Sequence, residues 1–177
     1  VVMLVLMLGI LANSLGMPDQ RPESRRTCRD SEASHQSGFL DNVRQPAVVA
    51  FLLMNLLLQV SHGPLYTFYS IYLQELGYSS LATGGLWSLG VVAEVLLFWK
   101  ISLFLRMGSL RQWMLISLAL TLLRWILIAM LPESVVVMTL AQLFHAFSFA
   151  MLHAVGIRYV PVLFPDNLQG RGQALYS

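Results

Sequence analysis

Charge is scarce in this sequence. Asp, Glu, Lys and Arg together make up 11% of its 177 residues, against about 25% in a soluble domain. A water-soluble fold of this size needs more charge than that for its own exterior. The apolar share of 56% and a mean hydropathy of +0.66 leave the lipid bilayer as the solvent that suits it. Cysteine is nearly absent too. Cys28 stands alone, so neither an intrachain disulfide framework nor a cysteine metal cluster is available. A net charge of +2 without a single basic stripe argues against nucleic acid as a partner. The short signatures of enzymes are missing as well: there is no HExxH, no GxSxG and no Gly-rich phosphate loop. His145 and His153 are eight residues apart rather than four, and Glu94 falls in another segment, so no metal and no cofactor is expected. The expectation is a membrane protein that is not an enzyme.

Long apolar runs are what the sequence has. About 20 helical residues cross a hydrocarbon core, and four runs reach that length, at 47–74, 80–101, 111–131 and 135–160. The run 1–16 is shorter and reads as the end of a fifth span. All are continuous rather than alternating, which excludes a β-barrel. The fold class is therefore all-α, a polytopic transmembrane helical bundle. Segment 17–46 is polar, with Pro18, Pro22 and five arginines. It reads as a solvated, mobile loop closed by Pro46 in the first turn of the next helix. Val1 already lies in an apolar run, and Ser177 follows a segment that leads onward, so the chain reads as a piece of a longer protein.

The basic residues fix a topology. Arg21, Arg25, Arg26, Arg29 and Arg44 lie in 17–46; Lys100, Arg106 and Arg111 surround the connection 102–110; Arg158 and Arg171 flank 160–172. The alternate connections carry Glu75 and Glu133 and no Lys or Arg. Ten of eleven basic residues thus share one side, which the positive-inside rule makes cytoplasmic.

The eleventh, Arg124, lies inside a span, as do His62, Glu94 and His145. Each such group costs about 2.5–3.5 kcal/mol in hydrocarbon and calls for a partner or a water-filled cavity. At 100° per residue, Asn55, Gln59, His62, Tyr66 and Tyr69 fall within about an 80° arc. Thr83, Trp87, Gly90 and Glu94 form a second stripe, Ser117, Thr121 and Arg124 a third, and Gln142, His145, His153 and Gly156 a fourth. Four helices with such faces turn them toward a common interior. That interior is either a packed polar core or a lined cavity, and Pro64, which frees a carbonyl one turn earlier, favours the cavity. Helical rise puts Glu94 about 10 Å from the basic-side boundary and Arg124 about 18–20 Å from it, leaving open whether the two pair. Gln59 and His62, and again Gln142 and His145, stand three apart, a weak echo between two spans.

The segments "HGPLYTFYSIYLQELGYSS" (62–80), "GLWSLGVVAEVLLFW" (85–99) and "LFPDNLQGRGQALYS" (163–177) resemble the major facilitator superfamily, in its phenylpropionate-transporter-like branch of proton-linked carriers. The resemblance runs from about residue 40 to the end. It implies part of a 12-helix fold: 1–16 ends the sixth helix, 17–46 is the cytoplasmic loop between the halves, and 47–177 is an incomplete C-terminal half whose N-terminal partner half is missing. The family's basic loop motif survives here only as Arg106-Met107-Gly108-Ser109-Leu110-Arg111. Relatives similar to lactose permease carry an Arg and a His on the helices matched by Arg124 and His145; the acidic residue that follows that His by three is Ser148 here.

The reading is a secondary active transporter in the inner membrane, moving a small organic solute, an aromatic acid or similar, with protons by alternating access. Gln59, His62, Tyr66, Tyr69, Trp87, Gln142 and Phe149 are expected at the solute, with Arg124 on its carboxylate. Glu94 or His145 is expected to carry the proton. The competing class is a non-transporting membrane receptor or scaffold whose polar helix faces bind a partner.

Overall fold

The computed structural model describes residues 38–177. The expected helix end at 1–16 and the loop up to residue 37 lie outside them. Among the described residues there is no strand. The elements are α1 (Phe39–Val43), α2 (Pro46–Glu75), α3 (Ser80–Met107), α4 (Leu110–Met130), α5 (Val135–Ala146), a π turn (Phe147–Met151), α6 (Leu152–Leu163), a 3₁₀ turn (Asp166–Leu168) and α7 (Gln169–Tyr176). Four helical spans are long and apolar enough to cross a bilayer: α2, α3, α4 and the continuous α5–α6 rod. This is an all-α, multi-pass membrane fold.

The helix ends follow from local sequence. Pro46 sits in the first turn of α2, where its missing N–H costs nothing. Ser79 and Ser134 cap α3 and α5 by accepting from the backbone N–H groups of Ala82 and Val137. Ser109 starts α4 with a full capping box: it accepts from the Gln112 N–H while the Gln112 side chain accepts from the Ser109 N–H. Ser109→Ala is expected to lower stability by about 0.5–2 kcal/mol, read as a lower thermal midpoint in detergent. At the turn between α2 and α3, Gly77 adopts φ 84°, a left-handed conformation natural to glycine. The Tyr78 hydroxyl then donates to the Pro132 carbonyl at 2.8 Å and ties the two acidic connections together. Burial, and after it the Glu133 carboxylate, push the Tyr78 phenol upward, so it stays a neutral donor.

Two elements depart from expectation. α3 runs to Met107 instead of stopping at 101, so the connection to α4 shrinks to Gly108 and Ser109. The last part of the supposed loop 17–46 is the helical turn α1, docked on the end of α6 and the segment that leads into α7. Asn42, 2% exposed, donates to the Leu163 carbonyl at 3.2 Å. Phe39 stacks near Phe164 at 6.3 Å and lies under the Arg171 guanidinium at 4.0 Å. Polarity along 17–46 gave no sign of this, because one buried Asn and one Phe are enough to dock a single turn.

The rod α5–α6 is the centre of the packing, with α3 and α4 against its first half and α2 and α7 against its second. Its interior is layered. At the end carrying Arg44, Arg106, Arg111 and Arg171, Phe51, Met114, Met151, Tyr159 and Phe164 form one apolar cluster. At the opposite end Leu65, Leu73, Leu86, Met138 and Ala141 form another. Between them, on all four spans, lies a polar layer. Ser61, His62, Thr121, Arg124, Gln142, His145 and Ser148 are each at most 3% exposed, and Glu94 stands beside them. The two apolar clusters hold the helices; the layer between them has to be satisfied from within.

Candidate functional site

Three helices meet in that layer at a chain of three side chains. Arg124 on α4 is fully buried, and its Nη1 donates to His145 Nδ1. His145 on α5 presents Nε2 to Glu94 Oε1 on α3 at 3.0 Å. The order of protons follows from chemistry. A guanidinium can only donate, so Nδ1 is a bare acceptor, and the imidazole hydrogen sits on Nε2 and points at the carboxylate. A neutral histidine thus bridges a cation and an anion, and the trio carries no net charge. An imidazolium in the same place would set an N–H against the guanidinium N–H groups.

Close approach makes this bridge possible. Gly90, one turn before Glu94 on α3, packs so tightly on α5 that a Cβ would lie 2.9 Å from Gln142 Oε1 and 3.7 Å from His145. Gly90→Leu is expected to push α3 off α5, costing about 1–3 kcal/mol by overpacking. The thermal midpoint should fall, and the Glu94–His145 contact should be lost with it.

Part of the layer is left unsatisfied by protein groups. Arg124 uses Nη1 on His145, while its Nε and Nη2, one planar edge of the guanidinium, have no protein partner. Gln142 Oε1 is likewise buried without a donor. His62, 1% exposed, bonds the Leu58 carbonyl through Nδ1 at 2.9 Å, which makes Nε2 the acceptor, and Nε2 has no partner. Buried polar groups left in this state are uncommon and point to ligand or water chemistry.

Aromatic rings surround these atoms. Trp87 stacks on Tyr66 at 6.0 Å and meets Tyr69 edge-on at 5.4 Å, while its Nε1 donates to Ser70 at 2.9 Å. His145 contacts His62 at 5.5 Å and Phe149 at 6.3 Å. The expected residues therefore fall into two groups joined at His62. Tyr66, Tyr69, Trp87, Gln142, Arg124, Glu94 and His145 gather at the polar layer. Gln59, His62 and Phe149, with Asn55, Ser148 and His153, line a cavity of about 590 Å³ between α2 and the π turn, reaching toward the basic end. The single arc assigned to α2 divides accordingly: His62 and Tyr69 are buried, whereas Tyr66 is half exposed.

Sequence reasoning did not anticipate the Thr121–Ser148 contact at 2.8 Å, which ties α4 to the π turn, nor the Tyr176 hydroxyl 3.1 Å from His153 Nδ1. A hydroxyl pair on two apolar helices leaves no mark in either helix alone. Among the described residues no three His, Cys, Asp or Glu side chains converge as metal ligands.

The "MFS_1 like family" model matches residues 1–177. The chain is similar, at 36% identity over 183 residues, to the "Probable 3-phenylpropionic acid transporter" of Escherichia coli (strain K12). That alignment covers 100% of this chain and 46% of the relative, so the chain spans about half the length of the curated protein it matches. No solved structure matches it significantly. Helical bundle, polar layer and family match agree: the chain belongs to the major facilitator superfamily.

Proposed function

We propose that these residues form much of the C-terminal half of a proton-coupled symporter for a small aromatic carboxylate, of which 3-phenylpropionate is the first candidate. The carrying observation is the Arg124–His145–Glu94 bridge, buried at mid-span between two apolar clusters. A trio that costly to bury is retained for what it binds or moves. The solute carboxylate goes to the open Nε/Nη2 edge of Arg124, a geometry suited to two parallel charge-assisted bonds. Its ring goes among Tyr66, Tyr69, Trp87 and Phe149, with Gln59, His62 and Gln142 supplying polar contacts. Glu94 takes the coupling proton first, because His145 cannot be protonated while Arg124 donates to it. A solute that draws Arg124 away frees Nδ1, and His145 can then share the proton. The N-terminal half supplies the opposite wall, and the halves rock about this midplane site. The end of the bundle that carries the basic residues of 17–46, 102–110 and 160–172 faces the cytoplasm, as the positive-inside rule supports, and the membrane is the inner one.

The test is uptake of labelled 3-phenylpropionate by proteoliposomes holding the full-length gene product, under an imposed proton gradient. Accumulation against the solute's own gradient is the expected result. Saturable binding without entry into the lumen would overturn the transporter reading and favour a receptor.

A further inference from the structure

His153 has no part in the scheme above, yet it stands where a proton has to leave. The cavity of about 590 Å³ begins at His62 and Phe149, whose rings lie 5.5 and 6.3 Å from His145, and ends at His153, Tyr176 and Ser177 toward the basic end. At about 30 Å³ per water, it has room for a chain of water molecules, and Asn55, Gln59 and Ser148 would give that chain polar footing along the way. The π turn sets the alignment. Its wider i→i+5 turn takes more residues per revolution than the 3.6 of an α-helix. His145, Phe149 and His153, spaced by four, therefore come into one column, with ring spacings of 6.3 and 6.4 Å. In an unbroken α-helix His153 would be rotated about 80° away from His145.

The ring of His153 is held in place. The Tyr176 hydroxyl lies 3.1 Å from Nδ1 and 3.3 Å from the His153 carbonyl, and the Tyr176 ring stacks on the imidazole at 5.8 Å. Gly156, one turn on, gives Tyr176 its room: a Cβ there would collide with the phenol. The remaining neighbours are rings, Phe98 from α3 and Phe149 from its own helix. The titratable and charged groups facing the column are His62 and Tyr66 from α2, Glu94 from α3, Arg124 from α4 and Tyr176 from α7, and among the described residues no carboxylate pairs with His153. Its Nδ1 is engaged and the residue is exposed, so Nε2 is the atom left for exchange.

We propose that His153 is the outlet relay for the coupling proton, passing it between the Glu94–His145 pair and the water at the basic end. The proton leaves the Glu94 carboxyl for water in the polar layer and passes along water beside His62, which lines the cavity; a cavity water then gives a proton to Nε2 of neutral His153, forming the imidazolium. The imidazolium loses the same Nε2 proton to bulk water, so His153 returns to its starting state and Glu94 is left ionised. The inference rests on the proton-coupled reading proposed above.

The experiment compares proton-driven uptake with counterflow exchange, using 3-phenylpropionate as probe and the full-length protein in proteoliposomes, for wild type, His153→Ala and Tyr176→Phe. Exchange needs no net proton release, so it separates the relay from the solute site. With His153→Ala, the turnover of proton-driven uptake should fall about tenfold or more, with KM and exchange unchanged. Millimolar imidazole should restore it, because a mobile carrier replaces the missing ring. Tyr176→Phe keeps the ring packing and guards against misfolding; it should slow uptake and leave exchange at the wild-type rate. Equal losses in uptake and exchange, full uptake in both variants, or no rescue by imidazole would overturn the assignment. A wild type that exchanges solute but shows no proton-driven uptake would remove the coupling reading itself, and the relay with it.

Discussion

Replacing Glu94 by Gln is expected to abolish proton-driven accumulation and leave solute exchange running. Gln is close in shape to protonated Glu and still accepts from His145 Nε2 through its amide oxygen, so the bridge at 3.0 Å can persist. What disappears is the site where a proton binds. The carrier then behaves as one locked in its protonated form: loaded solute can return across the membrane, but no proton gradient can be spent on it. Accumulation should fall to passive equilibration, while counterflow stays near the wild-type rate. Losing the carboxylate also leaves Arg124 without the anion that offsets it across His145, and an uncompensated buried charge costs about 3–5 kcal/mol. A lower thermal midpoint should therefore accompany the transport defect. Unchanged accumulation would remove Glu94 from the coupling role.

Arg124 carries the second large effect, with a different signature. Arg124→Lys keeps the charge but replaces a planar fork by a point donor, so it cannot serve His145 and a carboxylate at once through two edges. Each charge-assisted hydrogen bond is worth about 1.5–3 kcal/mol, and losing one corresponds to roughly a 10- to 150-fold rise in KM for 3-phenylpropionate. An uncharged analogue, 3-phenylpropanol, interacts with the ring pocket alone and should lose far less. Competition assays with both compounds on the variant and the wild type separate the two cases. Equal weakening of acid and alcohol would show that Arg124 does not bind the solute carboxylate and serves only to hold His145.

Much of this arrangement is legible in the sequence. Four spans, their basic and acidic ends, and the polar stripe on each came from hydropathy and a 100° step, because lipid forces every backbone into helices and every charge inward. The distance between Glu94 and Arg124 was not readable, for a specific reason. Taking α3 to stop at 101 placed the two at different depths. With α3 running to Met107 and α4 starting at Leu110, Glu94 and Arg124 stand 13 and 14 residues from the same end, about 20 and 21 Å. They are level after all. Even so they do not touch, since His145 enters from a third helix and separates them. Helical phase gives a residue's direction, not which of two partners lies nearer. The π turn was equally hidden, as "FSFAM" contains no proline or glycine to mark it; the 100° step already put His145 and His153 on one stripe, about 80° apart, and the π turn narrows that stripe to a column. The docking of α1 escaped for a related reason, since its hold on the bundle comes from contacts with residues more than a hundred positions away.

The central claim is that proton and solute move together through Glu94. The direct measurement is intravesicular pH in proteoliposomes loaded with a pH-sensitive dye, recorded while an inward gradient of 3-phenylpropionate is applied. Protein-free vesicles supply the baseline, because the undissociated acid also crosses lipid. The account predicts faster acidification than that baseline with the wild-type protein, in step with labelled solute entry, and none of the excess with Glu94→Gln. Solute entry through the wild-type protein without excess acidification would contradict it.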